Sequence, residues 1–235
     1  MSLNFIKRII TSIMLIFLFL IINFSNKYIF AFSICLVGLI ICFEANRIFL
    51  KLLKIRLYKS NDTLKKYNFK FLLLNLVTFF YIFFIFCYFS YQIYLIQTPI
   101  FFLYLICICF FTDIGGYVFG KTIGGKKLTT ISPNKTISGT VGSFIFSIIP
   151  LILFTYLDYY NLEFNLNNII FCLSISLISQ IGDLFISYIK RKANIKDTGK
   201  ILPGHGGILD RVDGIIFALP FSYLLLKLER LLYFQ

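Results

Sequence analysis

The sequence predicts an all-α, polytopic integral membrane helix bundle of about seven transmembrane helices, with its N-terminus in the cytoplasm. Three observations carry this. Of 235 residues, 59% are hydrophobic and 14% charged, whereas soluble domains carry roughly 25% charged residues; the mean hydropathy of +0.87 agrees. The apolar residues gather into runs near the ~20 residues a spanning helix needs. The basic residues gather on alternate connections between those runs.

The runs lie at about 9–24, 28–43, 69–89, 93–111, 139–157, 166–186 and 214–232. The N-terminal MSLNFIKRII resembles the start of a signal peptide, but no small-x-small cleavage site follows, so it reads as a first span. The first two runs meet at Ser25-Asn26-Lys27, as a tight hairpin would. The third and fourth are parted only by Ser90, Gln92, Gln97 and Pro99, the weakest boundary in the chain. One membrane domain over 1–235 is expected, with residues 1–98 as N-terminal membrane helices and a basic loop. Residues 99–235 would then carry the chemistry.

Charge orients the bundle. With seven alternating spans, 20 of the 23 Lys and Arg residues fall on the side of the N-terminus, and only Lys27, Lys227 and Arg230 on the other. Two polar loops, about 112–138 and 187–213, are thereby placed in the cytoplasm. The formal charge of +13 would suggest nucleic acid in a soluble protein. Here it sits between apolar runs, so membrane lipid is the expected partner and nucleic acid is not. Within 44–68, Arg47, Lys51 and Lys54 share a helical face opposite Ile48, Phe49, Leu52 and Leu53, which reads as an amphipathic helix lying on anionic lipid. The six cysteines lie in apolar runs without C-x-x-C pairs and read as small buried hydrophobes.

The acidic residues mark the candidate site. Asp113 and Asp183 sit at or within helix ends, where an ionisable group is costly and is by default a functional hypothesis. Asp183, Ser187 and Lys190 are spaced i, i+4, i+7 and share one face of a continuing helix. A carboxylate, a hydroxyl and an ammonium on one stripe suit a metal-bound phosphate; a plain helix-end ion pair is the simpler alternative. Downstream, Lys196-Asp197-Thr198-Gly199 and Pro203-Gly204-His205-Gly206-Gly207 lead into Asp210-Arg211-Val212-Asp213. Glycines let backbone N–H groups approach an anion, and oxygen-only ligands suit a hard cation such as Mg²⁺. His205, the only histidine, could be a base, a phosphate donor or a loop donor.

The earlier loop, Asp113 to Lys127, contains G-x-x-x-x-G-K-T at 115–122. A P-loop needs a strand before it and a helix after it in a soluble α/β setting, which a transmembrane run does not supply. A glycine-and-lysine loop could still hold polyphosphate through Lys121. Ser132-Pro133-Asn134-Lys135-Thr136 adds hydroxyls and a lysine before the fifth run.

These residues resemble the signature of the phosphatidate cytidylyltransferase (CDP-diacylglycerol synthase) family. The likeness rests on Ser187-x-x-Lys190-Arg191, Lys196-Asp197-x-Gly199, and Pro203-Gly204-His205-Gly206-Gly207-x-x-Asp210-Arg211-x-Asp213, and it extends over roughly 100–220. Asp113 with its glycines and the segment 132–136 resemble a second loop of that family. Where the family commonly has Glu, this chain has Ile186, and it has Ile137-Ser138 where an acid or amide is common. The resemblance implies transfer of CMP from CTP to phosphatidic acid, releasing pyrophosphate, with Mg²⁺ and room for a second cation. It implies Asp183, Ser187, Lys190 and Asp210 as catalytic, and Asp183, Asp210, Asp213 and Asp113 as metal ligands. Lys121, Ser132, Lys135, Thr136, Arg191, Lys196, His205, Gly206, Gly207 and Arg211 would bind substrate. A bacterial inner membrane with a cytoplasmic active site is expected, and a homodimer is left open. The alternative is a CTP-dependent polyprenol- or dolichol-type lipid kinase; a transporter built on broken helices has little use for a Gly-His-Gly-Gly loop.

Overall fold

The computed structural model describes residues 3–59, 64–129, 132, 135–158, 162–199, 201 and 206–233. The described residues are helical apart from connecting loops and isolated bridge residues, among them an antiparallel bridge between Lys127 and Thr136. The helices are α1 (Leu3–Asn23), α2 (Lys27–Lys59), α3 (Leu64–Phe80), a π-helical stretch (Tyr81–Cys87), α4 (Tyr88–Ile96), α5 (Pro99–Thr122), α6 (Ile137–Ser147), α7 (Ile149–Tyr156), α8 (Leu166–Lys192), α9 (Leu209–Val212) and α10 (Ile215–Tyr233). Helices are what lipid demands, because a backbone there must satisfy its own hydrogen bonds. Among the described residues, five stretches are long and apolar enough to cross a membrane: Lys27–Ile55, Asn68–Ile96, Pro99–Thr122, Ile137–Tyr156 and Leu166–Lys192.

The chain forms two compact units. The first comprises residues 1–91 and 188–212. Its α1–α2 turn is the hairpin expected at Ser25-Asn26-Lys27: Ser25 Oγ donates to the Ile22 carbonyl at 2.7 Å, and Asn26 Oδ1 accepts from Tyr28 N–H at 3.2 Å. Its core holds Phe30, Ile41, Ile48, Leu53, Ile82 and Phe86. At Gly38, α2 meets the π-helical stretch so closely that a Cβ would stand 2.9 Å from Cys87 Sγ.

Two expectations are corrected in this unit. The segment after Phe43 is not a separate helix on the membrane surface, because α2 runs unbroken to Lys59. Arg47, Lys51 and Lys54 are exposed as predicted, yet Ile48, Phe49 and Leu53 are buried within the protein rather than laid on lipid. The boundary between the third and fourth runs also moves. The helix passes through Ser90 and Gln92 and stops at Ile96, and α5 begins at Pro99. Thr98 caps α5 by accepting from Phe101 N–H at 3.1 Å. Proline fits the first helical turn and disfavours helix in the residue before it, so the Thr-Pro pair sets the break.

The second unit comprises residues 92–187 and 213–235. Its centre is a close approach of α5 and α6. A Cβ at Gly115 would overlap the Gly142 carbonyl oxygen, one at Gly139 would lie 2.8 Å from the Gly116 oxygen, and one at Gly142 would overlap Phe119. Small residues let membrane helices touch backbone to backbone, and Ser143 Oγ ties the pair by donating to the Thr112 carbonyl at 2.8 Å. This overturns the reading of 113–127 as a glycine loop. Residues 115–122 lie inside α5, and Gly115 and Gly116 face α6. Asp113 is well inside α5 and exposed, not at its end. The first polar loop therefore starts at Ile123, and the second at Ala193 because α8 continues to Lys192.

Candidate functional site

In the second unit, the loop between α5 and α6 folds back on itself. Leu128 N–H donates to the Lys135 carbonyl at 2.8 Å and Ile137 N–H to the Lys126 carbonyl at 3.0 Å. Thr136 Oγ1 then caps α6, accepting from Gly139 N–H at 3.1 Å, and the Ser138 hydroxyl donates to the Gly124 carbonyl. These ties bring Lys135 Nζ within 2.5 Å of Asp183 Oδ2. One turn further along α8, Ser187 Oγ donates to Asp183 Oδ1 at 3.2 Å. Both members of the ion pair are about a quarter exposed, at 27% and 26%, so the pair is open to an incoming ligand.

Asp213 joins this unit through backbone packing. A Cβ on Gly182 would stand 3.0 Å from the Asp213 carbonyl and 2.6 Å from Phe217 Cδ2, and one on Gly214 would lie 2.8 Å from the Ser179 carbonyl. The glycines at 182 and 214 thus let the α8 backbone beside Asp183 meet the start of α10 at Asp213. Asp213 Oδ1 accepts from Gly214 N–H at 2.9 Å.

In the first unit, Lys190 and Asp210 form a second pair, with Lys190 Nζ 2.7 Å from Asp210 Oδ1 and side chains 10% and 8% exposed. Asp210 Oδ2 accepts from Thr198 N–H at 2.8 Å, Thr198 Oγ1 at 3.0 Å and Gly207 N–H at 3.0 Å. The bond to Gly207 ties the second residue of α9 back to the turn that precedes the helix. Burial pushes the Asp210 carboxyl up, but Lys190 and the amides of Thr198 and Gly207 outweigh it and hold the group below its ordinary 3.8. Gly206 enters the turn with φ +88°, a conformation that favours glycine.

Sequence reasoning missed one residue here. Glu44 of α2 is fully buried, at 0% exposure. Its Oε2 accepts from Thr198 Oγ1 at 2.7 Å and Leu209 N–H at 2.9 Å, and its Oε1 from Ile208 N–H at 3.0 Å. The available signal was an acid inside the apolar stretch Ile-Cys-Phe-Glu-Ala, which is costly unless paired. Gly199 and Gly207 flank this carboxylate: a Cβ at either would stand within 2.7 Å of Glu44 Oε1. The anion approached by these glycines is thus a carboxylate of the chain itself.

The remaining predicted residues are more dispersed. Lys121 is exposed in the last turn of α5, with Nζ 3.4 Å from Tyr117 Oη. Arg191, Lys196 and Arg211 are exposed, and Arg191 Nη1 donates to the Ile195 carbonyl at 3.3 Å. Ser132 lies in the folded-back loop, its carbonyl accepting from Lys135 N–H at 3.1 Å. His205, Pro203, Gly204, Pro133 and Asn134 lie outside the described residues. No group of three or more His, Cys, Asp and Glu side chains converges among the described residues as a protein-only metal cage would.

A model of the cytidylyltransferase family matches residues 45–229. Among curated relatives, the protein named phosphatidate cytidylyltransferase of Staphylococcus haemolyticus is 44% identical over 129 residues, covering 53% of this chain and 48% of that protein. Its Staphylococcus aureus namesake is 47% identical with the same coverage. The Bacillus subtilis one is 42% identical over 118 residues, covering 50% of this chain and 44% of the relative. The matched stretch thus spans about half the length of these curated relatives. With the family match running from the buried Glu44's neighbour through both lysine–aspartate pairs, this multi-pass helical chain belongs to the cytidylyltransferase family.

Proposed function

We propose that the chain transfers CMP from CTP to phosphatidate on the cytoplasmic face of a bacterial inner membrane, giving CDP-diacylglycerol and pyrophosphate. The observation that carries the reading is the polar run Ser187–Asp213 inside the family match, in a chain 42–47% identical to relatives bearing that name. A phosphate oxygen of phosphatidate attacks the α-phosphorus of CTP. A new P–O bond forms, the bond from that phosphorus to the bridging oxygen breaks, and pyrophosphate leaves with the electron pair. The nucleophile is already anionic at neutral pH, so the reaction needs positioning and charge cancellation more than proton removal.

The side chains supply that chemistry. Lys135 and Lys190 offset phosphate charge close to the carboxylates, and the Ser187 hydroxyl offers a donor beside Asp183. Lys121, Arg191, Lys196 and Arg211 are exposed and suited to drawing in a triphosphate. Ser132 and Thr136 in the loop of the second unit, and Gly206 and Gly207 in that of the first, are the remaining described residues proposed to meet substrate.

The donors fit Mg²⁺, which binds through one or two carboxylates and shares its other positions with water and phosphate oxygens. In the second unit Asp183 and Asp213 are oxygen donors from backbones packed together; in the first, taken by itself, Asp210 Oδ1 keeps a lone pair beyond its bond to Lys190. Bound there, Mg²⁺ would supply charge neutralisation on the phosphate oxygens. The exposed Asp113, well inside α5, is the weakest member of the ligand set.

The test incubates membranes containing the chain with cytidine-labelled CTP and phosphatidate. The label should enter the organic phase as pyrophosphate appears. Label retained in the aqueous phase as CDP would overturn the reading in favour of a lipid kinase.

A further inference from the structure

The carboxylate of Glu44 has no part in the reaction proposed above, yet it is the most enclosed acid among the described residues of the first unit. It satisfies the free N–H groups of Ile208 and Leu209 that open α9. It also shares one hydroxyl with Asp210: Thr198 Oγ1 lies 2.7 Å from Glu44 Oε2 and 3.0 Å from Asp210 Oδ2. A hydroxyl carries one proton, so it donates to one carboxylate at a time. The Thr198 amide is committed to Asp210 at 2.8 Å. The chain therefore runs Glu44, Thr198, Asp210, Lys190 without a break, from the middle of α2 to the end of α8.

We infer that Glu44 is a positioning residue: through Thr198 and the amides of Ile208 and Leu209 it holds Thr198 and the start of α9 so that Asp210 and Lys190 stand ready for the phosphates. The inference rests on the proposed reaction, and it accounts for two signature glycines differently from a phosphate cradle. Gly199 and Gly207 are glycines because Glu44 fills the space their side chains would take. The amides of 208 and 209 are already spent on that carboxylate, so they are not donors to the nucleotide. Order of this kind, set before substrate arrives, lowers the barrier rather than raising affinity.

Two readouts test this on the full-length chain in detergent. In Glu44→Gln, one Glu44 oxygen becomes an NH₂ facing backbone donors. Amide hydrogen exchange at Ile208 and Leu209 should accelerate at least about tenfold while α5 and α6 stay protected. In Thr198→Val, which keeps the shape but loses the hydroxyl, kcat per folded molecule should fall at least about tenfold with KM for CTP within about twofold, and Thr198→Ser should restore it. Unchanged exchange in Glu44→Gln, or a Thr198→Val enzyme as fast as wild type, overturns the inference. Should Glu44→Gln fail to fold, the threonine variants decide. A wild-type chain that makes no CDP-diacylglycerol would instead refute the proposed reaction, and the exchange measurement would still judge the Glu44 clasp.

Discussion

Replacing Asp210 by Asn removes one charge and barely changes shape, so its cost follows from hydrogen-bond counting. The carboxylate serves three committed donors, Lys190 on Oδ1 and Thr198 N–H and Gly207 N–H on Oδ2, with the shared Thr198 hydroxyl also 3.0 Å from Oδ2. An amide keeps one acceptor oxygen. With that oxygen on the two amides, the new NH₂ faces the Lys190 ammonium, whose side chain is 10% exposed. Stranding a buried charge costs about 3–5 kcal/mol. In the flipped orientation Lys190 keeps a partner, but Thr198 N–H and Gly207 N–H lose a charged acceptor, at roughly 1.5–3 kcal/mol each. Neither orientation escapes a loss of about 3 kcal/mol, which corresponds to roughly 6–12 °C in Tm for a chain of this size. The assay is thermal unfolding of purified protein in detergent for Asp210→Asn, Lys190→Met and the double variant. The double variant should be more stable than the sum of the single losses implies, with a coupling above about 1 kcal/mol. Turnover of Asp210→Asn should fall below about a tenth of wild type, as loss of a key charge contact costs at least ~2.7 kcal/mol. Additive losses, or a Tm within about 2 °C of wild type, would refute the reasoning.

Three further outcomes are expected. Gly142→Ala puts a methyl group onto Phe119 and 2.7 Å from the Gly115 carbonyl. Neither backbone can yield cheaply, so it should cost about 1–3 kcal/mol in the same unfolding assay; an unchanged Tm would remove the close α5–α6 contact from the account. Asp210 has a carboxyl held below its ordinary 3.8, so its contribution to stability is complete above 3.8 and fades as pH falls through the lower folded value. Acid unfolding of wild type should therefore gain a proton uptake absent from Asp210→Asn, measured by comparing their Tm between neutral pH and pH 3. Asp183→Asn takes the anion from Lys135, 2.5 Å away, and with it a proposed Mg²⁺ ligand; initial rates should fall more than about tenfold and need more Mg²⁺, and an unaltered Mg²⁺ titration would exclude Asp183 from the ion.

The fold was largely legible in the sequence, because its long-range pattern is written in local composition. Apolar runs found the helices, and Ser25-Asn26-Lys27 found the first turn. The errors share a physical cause. Helices here extend beyond the apolar residues that announce them: α2 runs on through Arg47, Lys51 and Lys54, and α8 through Lys190 and Arg191. A hydrophobicity boundary marks where lipid ends, and a helix ends where a cap or a proline ends it, as at Thr98-Pro99. The 115–122 glycines were misread for a related reason. Spacing alone does not distinguish a glycine that lets a ligand approach from one that lets a neighbouring helix approach. The candidate residues Asp183, Ser187, Lys190, Asp210 and Asp213 stand out in the sequence because they lie within one stretch. Their partners do not, because Lys135 meets Asp183 and Glu44 meets Thr198 across wide separations, 154 residues in the second case.

Each unit holds the same small arrangement: a lysine on one carboxylate oxygen, with a hydroxyl within hydrogen-bond distance of the same aspartate. In one unit it is Lys135, Asp183 and Ser187; in the other Lys190, Asp210 and Thr198. Beside a membrane this pairing has a clear physical use. An isolated charge near hydrocarbon is expensive, whereas a contact pair carries little net charge. Phosphate oxygens and a divalent ion present the opposite charges to such a pair, the phosphate to the lysine and the ion to the aspartate. In the proposed reaction, two polyanions would then be admitted by exchanging partners rather than by exposing bare charge, and the exchange would reverse when the products leave. On this argument the partly exposed Lys135–Asp183 pair of the second unit is suited to such an exchange, while in the first unit Asp210, held by Thr198 and Gly207 and backed by Glu44, is suited to keep its place.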